Sequence, residues 1–132
     1  MIKKYMPAFF WLILIIYLLF FYEPSGNGGH NIPHFDKVVH GVLFGTLSFL
    51  LSYAFFKDFH FQKRKNIIVL LSSIILFLAV VTELIQYFFV PGRTGDVIDA
   101  MADVTGAFLG YNSYLYLVKK STLSLKKYLL SN

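Results

Sequence analysis

Apolar residues in this chain occur in four long runs separated by short polar segments. The runs extend over residues 5–22, 38–56, 67–90 and 97–118. Each run is close to the roughly 20 residues that a helix needs to cross a hydrocarbon core about 30 Å thick. The pattern therefore predicts an all-α fold, a four-helix transmembrane bundle in which residues 1–132 form a single domain.

The basic residues indicate how such a bundle is oriented. Ten of the twelve Lys and Arg residues fall in three places, at Lys3–Lys4, in the 57–65 loop and in the 119–127 tail. Short loops rich in Lys and Arg stay on the cytoplasmic side of a membrane. We therefore expect both termini and the 57–65 loop in the cytoplasm, and the other two connections outside.

Composition narrows the class of protein and its partners. The chain is 57% hydrophobic and 19% aromatic, which is too apolar for an ordinary soluble domain. Its net charge of +5 comes from the predicted cytoplasmic segments, so anionic inner-leaflet headgroups are the expected electrostatic partner and nucleic acid is not. The 119–127 tail, with leucines among its lysines, is expected to lie along the inner surface as a short amphipathic helix. The absence of Cys excludes thiolate metal sites and Cys nucleophiles.

Two carboxylates lie deep in the predicted third and fourth helices. Glu83 is seven residues before the end of the third run, which places it roughly 10 Å below that end at 1.5 Å per residue. Asp103 lies at a similar depth from the start of the fourth run. A charged group in the membrane costs at least about 2.5 kcal/mol on insertion scales, so both side chains should face the bundle interior and find partners.

Further polar residues form stripes on the same helices. Spacings of three, four and seven residues place the members of each stripe on one helix face. The members are Asp36, Lys37 and His40 on the second helix, Glu83 and Gln86 on the third, and Asp96, Asp99 and Asp103 on the fourth. Asp36 and Asp96 also have the alternative of simple N-caps, accepting from free backbone N–H groups. The stripes predict a polar cluster at the extracytoplasmic end, below Arg93 on the connecting loop.

Glycines recur at four-residue spacing on two of the predicted helices. Gly41 and Gly45 form one G-x-x-x-G motif, and Gly106 and Gly110 form another. Small residues at this spacing let helix backbones approach closely within lipid. We therefore expect these glycines to serve helix packing just below the polar cluster.

Together, these residues resemble a known family. The motifs are D-K-x-x-H from Asp36, E-x-x-Q from Glu83 and R-x-x-D-x-x-D-x-x-x-D-x-x-G from Arg93, all within residues 35–110. In this order they are similar to the motifs of the VanZ-like family, whose members commonly have Asn at the position of Asp103.

The resemblance implies a small, mostly four-helix, multi-pass protein of the bacterial cytoplasmic membrane. The namesake of the family is associated with reduced susceptibility to the glycopeptide antibiotic teicoplanin, so an effect on glycopeptide susceptibility is one expectation. The family resemblance carries more about the fold than about the chemistry.

The leading functional hypothesis is an extracytoplasmic pocket that binds, or in a stronger version modifies, an anionic or lipid-linked envelope component. Lys37 and Arg93 are the candidate groups for a phosphate or carboxylate, with Arg93 as the principal anchor through its planar guanidinium. The further candidate ligand-binding residues are Gln86, Asp36 and Asp96.

The stronger version needs groups that transfer protons or hold a metal. His40 and Glu83 are the candidates for proton transfer. Asp99 and Asp103 are the candidates for orienting the cations or holding a divalent metal, although the sequence requires no cofactor. Carboxylates suit Mg²⁺, Mn²⁺ or Ca²⁺, and His40 would add Zn²⁺ to these.

Two other classes of function use the same residues differently. In a non-catalytic interaction or scaffold protein, the polar network only fixes a binding surface. A small transporter needs carboxylates along a path through the membrane, which the apolar inner halves of the predicted helices disfavour.

Overall fold

The computed structural model describes residues 2–21, 35–58, 64–90 and 96–130, with side chains described up to residue 121. Within these ranges the chain is helical, which confirms the all-α, four-helix fold. A short 3-10 helix, Ile2–Tyr5, leads into the four α-helices. These are α1 (Met6–Phe20), α2 (Phe35–Asp58), α3 (Arg64–Phe89) and α4 (Val97–Leu130).

Among the described residues, three segments are long and apolar enough to cross a membrane, namely Ile2–Phe20, Phe35–Asp58 and Arg64–Phe89. α4 is not among these candidates, and its apolar part contains Asp99 and Asp103 and, further on, Asn112 and Ser113. α4 nevertheless lies along most of the length of α2, so it is an integral part of the bundle.

The C-terminal half of α4 differs from its prediction. We expected a short amphipathic helix separate from the fourth apolar run, but α4 continues without a break to Leu130. No Gly or Pro occurs between Val118 and Leu130 to end it, so the backbone has no local reason to turn. The expected binding of this segment to anionic headgroups stays a prediction.

Helix starts also lie earlier than the apolar runs suggest. α2 begins at Phe35 rather than Val38, and α3 begins at Arg64 rather than Ile67. The polar residues that precede each run are thus part of the helix itself. As a consequence, Asp36 lies in the first turn of α2 and is not its N-cap.

Contacts between the helices define an alternating up-and-down order in which α2 and α4 are parallel. Lys37 meets Asp99 at the start of both helices, and Phe56 stacks on Tyr114 toward the other end, with ring centroids 5.4 Å apart. We call the first of these the polar end, where α2 and α4 begin and α1 and α3 end. The opposite end, where α2 ends, is the aromatic end.

α1 is joined to its neighbours by hydrogen bonds to backbone carbonyls. The indole N–H of Trp11 donates to the carbonyl of Leu43 in α2 at 2.9 Å. The amide of Gln86 in α3 donates to the carbonyl of Leu19 at 3.2 Å. Between these bonds Ile15 is almost completely buried in the apolar core.

The aromatic end closes around an acidic side chain. Asp58 accepts hydrogen bonds from the ammonium group of Lys4 and from the hydroxyl group of Tyr5. Tyr114 packs edge-on against Phe49, 5.9 Å between centroids. Such aromatic pairs contribute about 0.5–1.5 kcal/mol beyond the area they bury.

Candidate functional site

Backbone-to-backbone packing of α2 on α4 creates the frame of the site. An added Cβ at Gly45 would lie 2.9 Å from the carbonyl oxygen of Gly106, and one at Gly106 would overlap the Gly41 carbonyl. One at Gly110 would overlap the Gly45 carbonyl in the same way. We call these four residues the glycine seam. Any larger residue at Gly106 or Gly110 would push the two helices apart. Small residues at such contacts are the arrangement expected for close helix packing in membranes.

Gly41 differs from the other three members of the glycine seam. Its added Cβ would lie 3.5 Å from the carbonyl oxygen of Ala102, an ordinary van der Waals distance. The close approach therefore depends on Gly45, Gly106 and Gly110, whereas Gly41 contributes its backbone carbonyl rather than its lack of a side chain.

Lys37 connects the starts of α2 and α4. Its ammonium group donates to Asp96 Oδ2 and to Asp99 Oδ1, both at 2.8 Å, and lies 3.4 Å from Asp36 Oδ2. Three carboxylates thus share one ammonium group. Because its charge is already engaged, Lys37 offers less to an external anion than the sequence suggests.

Asp96 caps the start of α4 and also ties it to α3. As the N-cap of α4, its Oδ1 accepts from the backbone N–H of Ile98 at 2.8 Å. Its own backbone N–H donates to Glu83 Oε2 at 2.7 Å, which ties the end of α3 to the start of α4. The pKa of Asp96 is lowered below its ordinary value, first by the hydrogen bond from the Lys37 ammonium and second by the one from the Ile98 N–H.

His40 lies at the centre of the polar end, 1% exposed. Its Nδ1 is 3.0 Å from Asp103 Oδ1 and 3.9 Å from Glu83 Oε1. Asp103 is completely buried, and Glu83 and Asp99 are 9% and 8% exposed. The structure therefore brings His40 of α2 together with carboxylates of α3 and α4, in a place with almost no solvent-exposed surface.

Several polar atoms of this cluster have no hydrogen-bond partner among the described residues. They are His40 Nε2, Glu83 Oε1 and Asp103 Oδ2. Buried polar groups are normally paired, and leaving one unpaired costs about 1–3 kcal/mol. The cluster thus has donor and acceptor capacity that the described protein atoms do not use.

The remaining sequence candidates lie elsewhere. Gln86 is buried, but its amide points to the carbonyl of Leu19 and supports the packing of α1 on α3. Arg93, the predicted anchor, lies outside the described residues. The structure thus assembles Asp36, Lys37, His40, Glu83, Asp96, Asp99 and Asp103, without Gln86.

A groove on the outside of the bundle runs from Lys37 along the glycine seam. It has a volume of about 720 Å³ and lies between α2 and α4. Its lining is largely apolar, with Val42 on one side and Met101 on the other, and it extends to Ser113. Both Val42 and Met101 are more than half exposed, so the groove opens toward the surroundings of the bundle.

Sequence reasoning missed this groove and one polar pair below the cluster. The G-x-x-x-G motifs predicted close packing, but a groove requires the large residues that flank them on both helices. Ser52 donates to the carbonyl of Ser48 at 2.7 Å, and both residues are buried. Serines within a helix carry little signal, since this internal bond is common there.

Comparison with known proteins gives a family. The model of the VanZ/LLP1 family matches residues 6–119. No curated protein and no solved structure matches the chain.

Proposed function

Because the chain belongs to the VanZ/LLP1 family, we propose that it is a multi-pass protein of the bacterial cytoplasmic membrane that binds a lipid with an anionic envelope headgroup. The hydrocarbon chain of this lipid lies in the groove between α2 and α4, and its headgroup lies at the polar end. The observation that supports this most directly is the continuity of an apolar groove with Lys37.

The dimensions and lining of the groove suit a lipid chain. From Lys37 to Phe49 α2 rises roughly 18 Å at 1.5 Å per residue, so the groove follows α2 over a large part of the core thickness. Its base is backbone and small side chains, which leave room for a chain without displacing any residue. Since lipid surrounds the membrane-crossing helices, an apolar groove open to the outside is accessible to lipid chains.

The headgroup needs positive charge at the mouth of the groove. Lys37 lines the groove, but its ammonium is shared by Asp36, Asp96 and Asp99. We therefore retain Arg93 as the proposed anchor, on the sequence alone, because it precedes Asp96 by three residues. A guanidinium binds phosphate or carboxylate through two parallel hydrogen bonds, which an ammonium does not.

Lipids that co-purify with the protein in mild detergent test the proposal. Val42→Trp fills the groove, and Val80→Trp is its matched control, because Val80 is 48% exposed on α3 and does not line the groove. Mass spectrometry should find an anionic lipid retained by wild type and by Val80→Trp, and much less of it with Val42→Trp. Equal retention by the two variants would exclude the groove as the binding site.

Arg93→Lys tests the anchor separately. This change keeps the charge but removes the bidentate geometry, so retention of anionic lipid and any glycopeptide tolerance should fall while the folded yield stays unchanged. If well-folded Arg93→Ala protein retains the lipid and the tolerance, Arg93 is not the anchor and the polar end is scaffolding, as in an interaction protein. A changed headgroup mass after incubation would extend binding to modification.

The proposal requires the polar end to face away from the cytoplasm. The chain has no Cys, so single cysteines can be introduced without a competing thiol. Cysteines replacing Gly28 and Gly92, which lie outside the described residues, should react with a membrane-impermeant maleimide in intact cells. A cysteine replacing Gln62 should be protected. The reverse pattern would invert the orientation.

A further inference from the structure

Three helices contribute one potential metal ligand each to the polar end. A ring nitrogen of His40, a carboxylate oxygen of Glu83 and a carboxylate oxygen of Asp99 all lie within 4.8 Å of one another. These side chains come from α2, α3 and α4, and all three are buried. Ligands bound to one ion at about 2.1 Å lie roughly 3–3.5 Å apart, so small side-chain rotations would bring the three into coordination distance.

The unpaired atoms of the cluster are independent support for a bound ion. Glu83 uses Oε2 to accept the Asp96 N–H, while its Oε1 is buried and has no hydrogen-bond partner among the described residues. Nδ1 of His40 pairs with Asp103, whereas Nε2, the nitrogen left for a metal ion, has no partner among the described residues. A carboxylate on one ring nitrogen is the usual support of a metal-ligating histidine.

Charge balance leads to the same conclusion. The described polar end contains five carboxylates, those of Asp36, Glu83, Asp96, Asp99 and Asp103. The described groups that balance them are the Lys37 ammonium and, when protonated, the His40 imidazole. A metal-ligating histidine is neutral, so five carboxylates against one ammonium leave four negative charges, of which a divalent cation would balance two. Buried charges are tolerated when they are paired or coordinate metals.

We propose that His40, Glu83 and Asp99 form a binding site for one divalent transition-metal ion, with Asp103 positioning the His40 ring. A mixed imidazole and carboxylate ligand set suits Zn²⁺ better than Mg²⁺ or Ca²⁺, which take oxygen ligands. The metal site stands on the cluster alone and goes beyond the lipid groove.

One consequence does rest on the proposed function. Three protein ligands leave a position open on the ion, as in sites where a metal also holds a substrate. That position lies at the end of the bundle where we place the headgroup, so the ion would supply the positive charge that Lys37 has already given to its carboxylates. An anionic oxygen of the headgroup is the ligand that this chemistry would take.

The test is the binding of Zn²⁺ to detergent-solubilised protein, purified with a tag that contains no histidine and treated with chelator. Calorimetry should show one Zn²⁺ per chain for wild type and much weaker binding of Mg²⁺. Glu83→Gln and Asp99→Asn should each weaken Zn²⁺ binding at least tenfold. Asp103→Asn should weaken it about 10- to 100-fold, the usual effect of losing a group that orients a ligand.

Asp58→Asn is the matched control, because it makes the same acid-to-amide change at the aromatic end, outside the ligand set. It should bind Zn²⁺ like wild type. Gel filtration and thermal unfolding confirm that each variant is folded. The metal site is excluded if folded wild-type protein binds no Zn²⁺, or if Asp58→Asn loses as much affinity as Asp99→Asn.

A second measurement separates the metal from the lipid. If chelation releases the co-purified lipid and Zn²⁺ restores it, the ion holds the headgroup. If Zn²⁺ binds but the lipid stays after chelation, the metal site stands and its link to the headgroup fails. Binding of Zn²⁺ by Val42→Trp at wild-type affinity would show that the metal site does not depend on the groove.

Discussion

At the aromatic end, Asp58 receives hydrogen bonds on both carboxylate oxygens, from Lys4 and Tyr5. At the polar end, Glu83 and Asp103 each keep one buried oxygen without a partner among the described residues. Both ends join helices that are distant in sequence, so both have a structural role. They differ in whether the protein itself satisfies its polar atoms.

This difference distinguishes a structural contact from a candidate binding site. A satisfied acid such as Asp58 stabilises the junction of α1 and α2. Buried polar groups without a partner lower stability. Proteins therefore keep them at functional sites, which are the places where the usual pairing of buried polar groups is given up. A ligand at the polar end would therefore pair with polar atoms that the described protein leaves unsatisfied. At the aromatic end, both carboxylate oxygens of Asp58 are already paired.

The largest effect should come from the glycine seam that holds the polar end together. Gly106→Ala would force its methyl group into the Gly41 carbonyl, and overpacking typically costs about 1–3 kcal/mol, with the upper part of that range expected where the obstacle is backbone. Gly41→Ala is the matched control, because its methyl group would lie 3.5 Å from Ala102 and should change stability by no more than about 0.5 kcal/mol. Unfolding by denaturant in detergent micelles measures both. Equal stability of the two variants would contradict the close-packed seam.

A smaller pair of effects should differ between the two ends, with a loss of stability at the aromatic end and none at the polar end. Tyr5→Phe removes a hydrogen bond to Asp58 and should cost about 1 kcal/mol. Glu83→Gln removes one buried negative charge and can keep the oxygen that accepts the Asp96 N–H, so without metal it should leave stability unchanged or raise it. Thermal unfolding with chelator present makes the comparison. If Glu83→Gln were the more destabilising of the two, Glu83 would be a structural group like Asp58.

The smallest effect is a dependence on acid at the polar end. The pKa of Asp96 is lower in the folded protein than the ordinary value of 3.8. Its interaction with Lys37 therefore stabilises the fold above that pH and is lost as the pH falls through the lower folded pKa. Between about pH 5 and pH 3 the unfolding free energy of wild type should decline more steeply than that of Lys37→Gln. Parallel curves would show that Lys37 does not hold Asp96 in solution.

Much of the polar end could be predicted from the sequence, because helical periodicity determines which residues share a face. Asp99 and Asp103 at four-residue spacing, and Glu83 at the same depth on a neighbouring antiparallel helix, leave few arrangements in which all three avoid lipid. The register of His40 against Asp103 follows from the glycine seam. These expectations concern geometry, and the chemistry assigned to the residues stays a prediction.

Other features could not be read from the sequence. Which carboxylates surround Lys37 depends on the rotation of α2 against α4, and this is set by packing along the whole contact. Gln86 faces the cluster by spacing but reaches the carbonyl of Leu19, because the position of α1 is not encoded in any local pattern. The end of α4 was misplaced because apolar content, rather than a helix-stop signal, defined it.

The indole of Trp11 gives this protein a built-in optical reporter. It is the one tryptophan in the sequence, and its N–H is bonded to the Leu43 carbonyl across the contact of α1 with α2. Fluorescence excited at the tryptophan band therefore comes from a single location. Undocking of α1 would break that bond and alter the emission, so the association of this helix with the other three can be followed without attaching a dye.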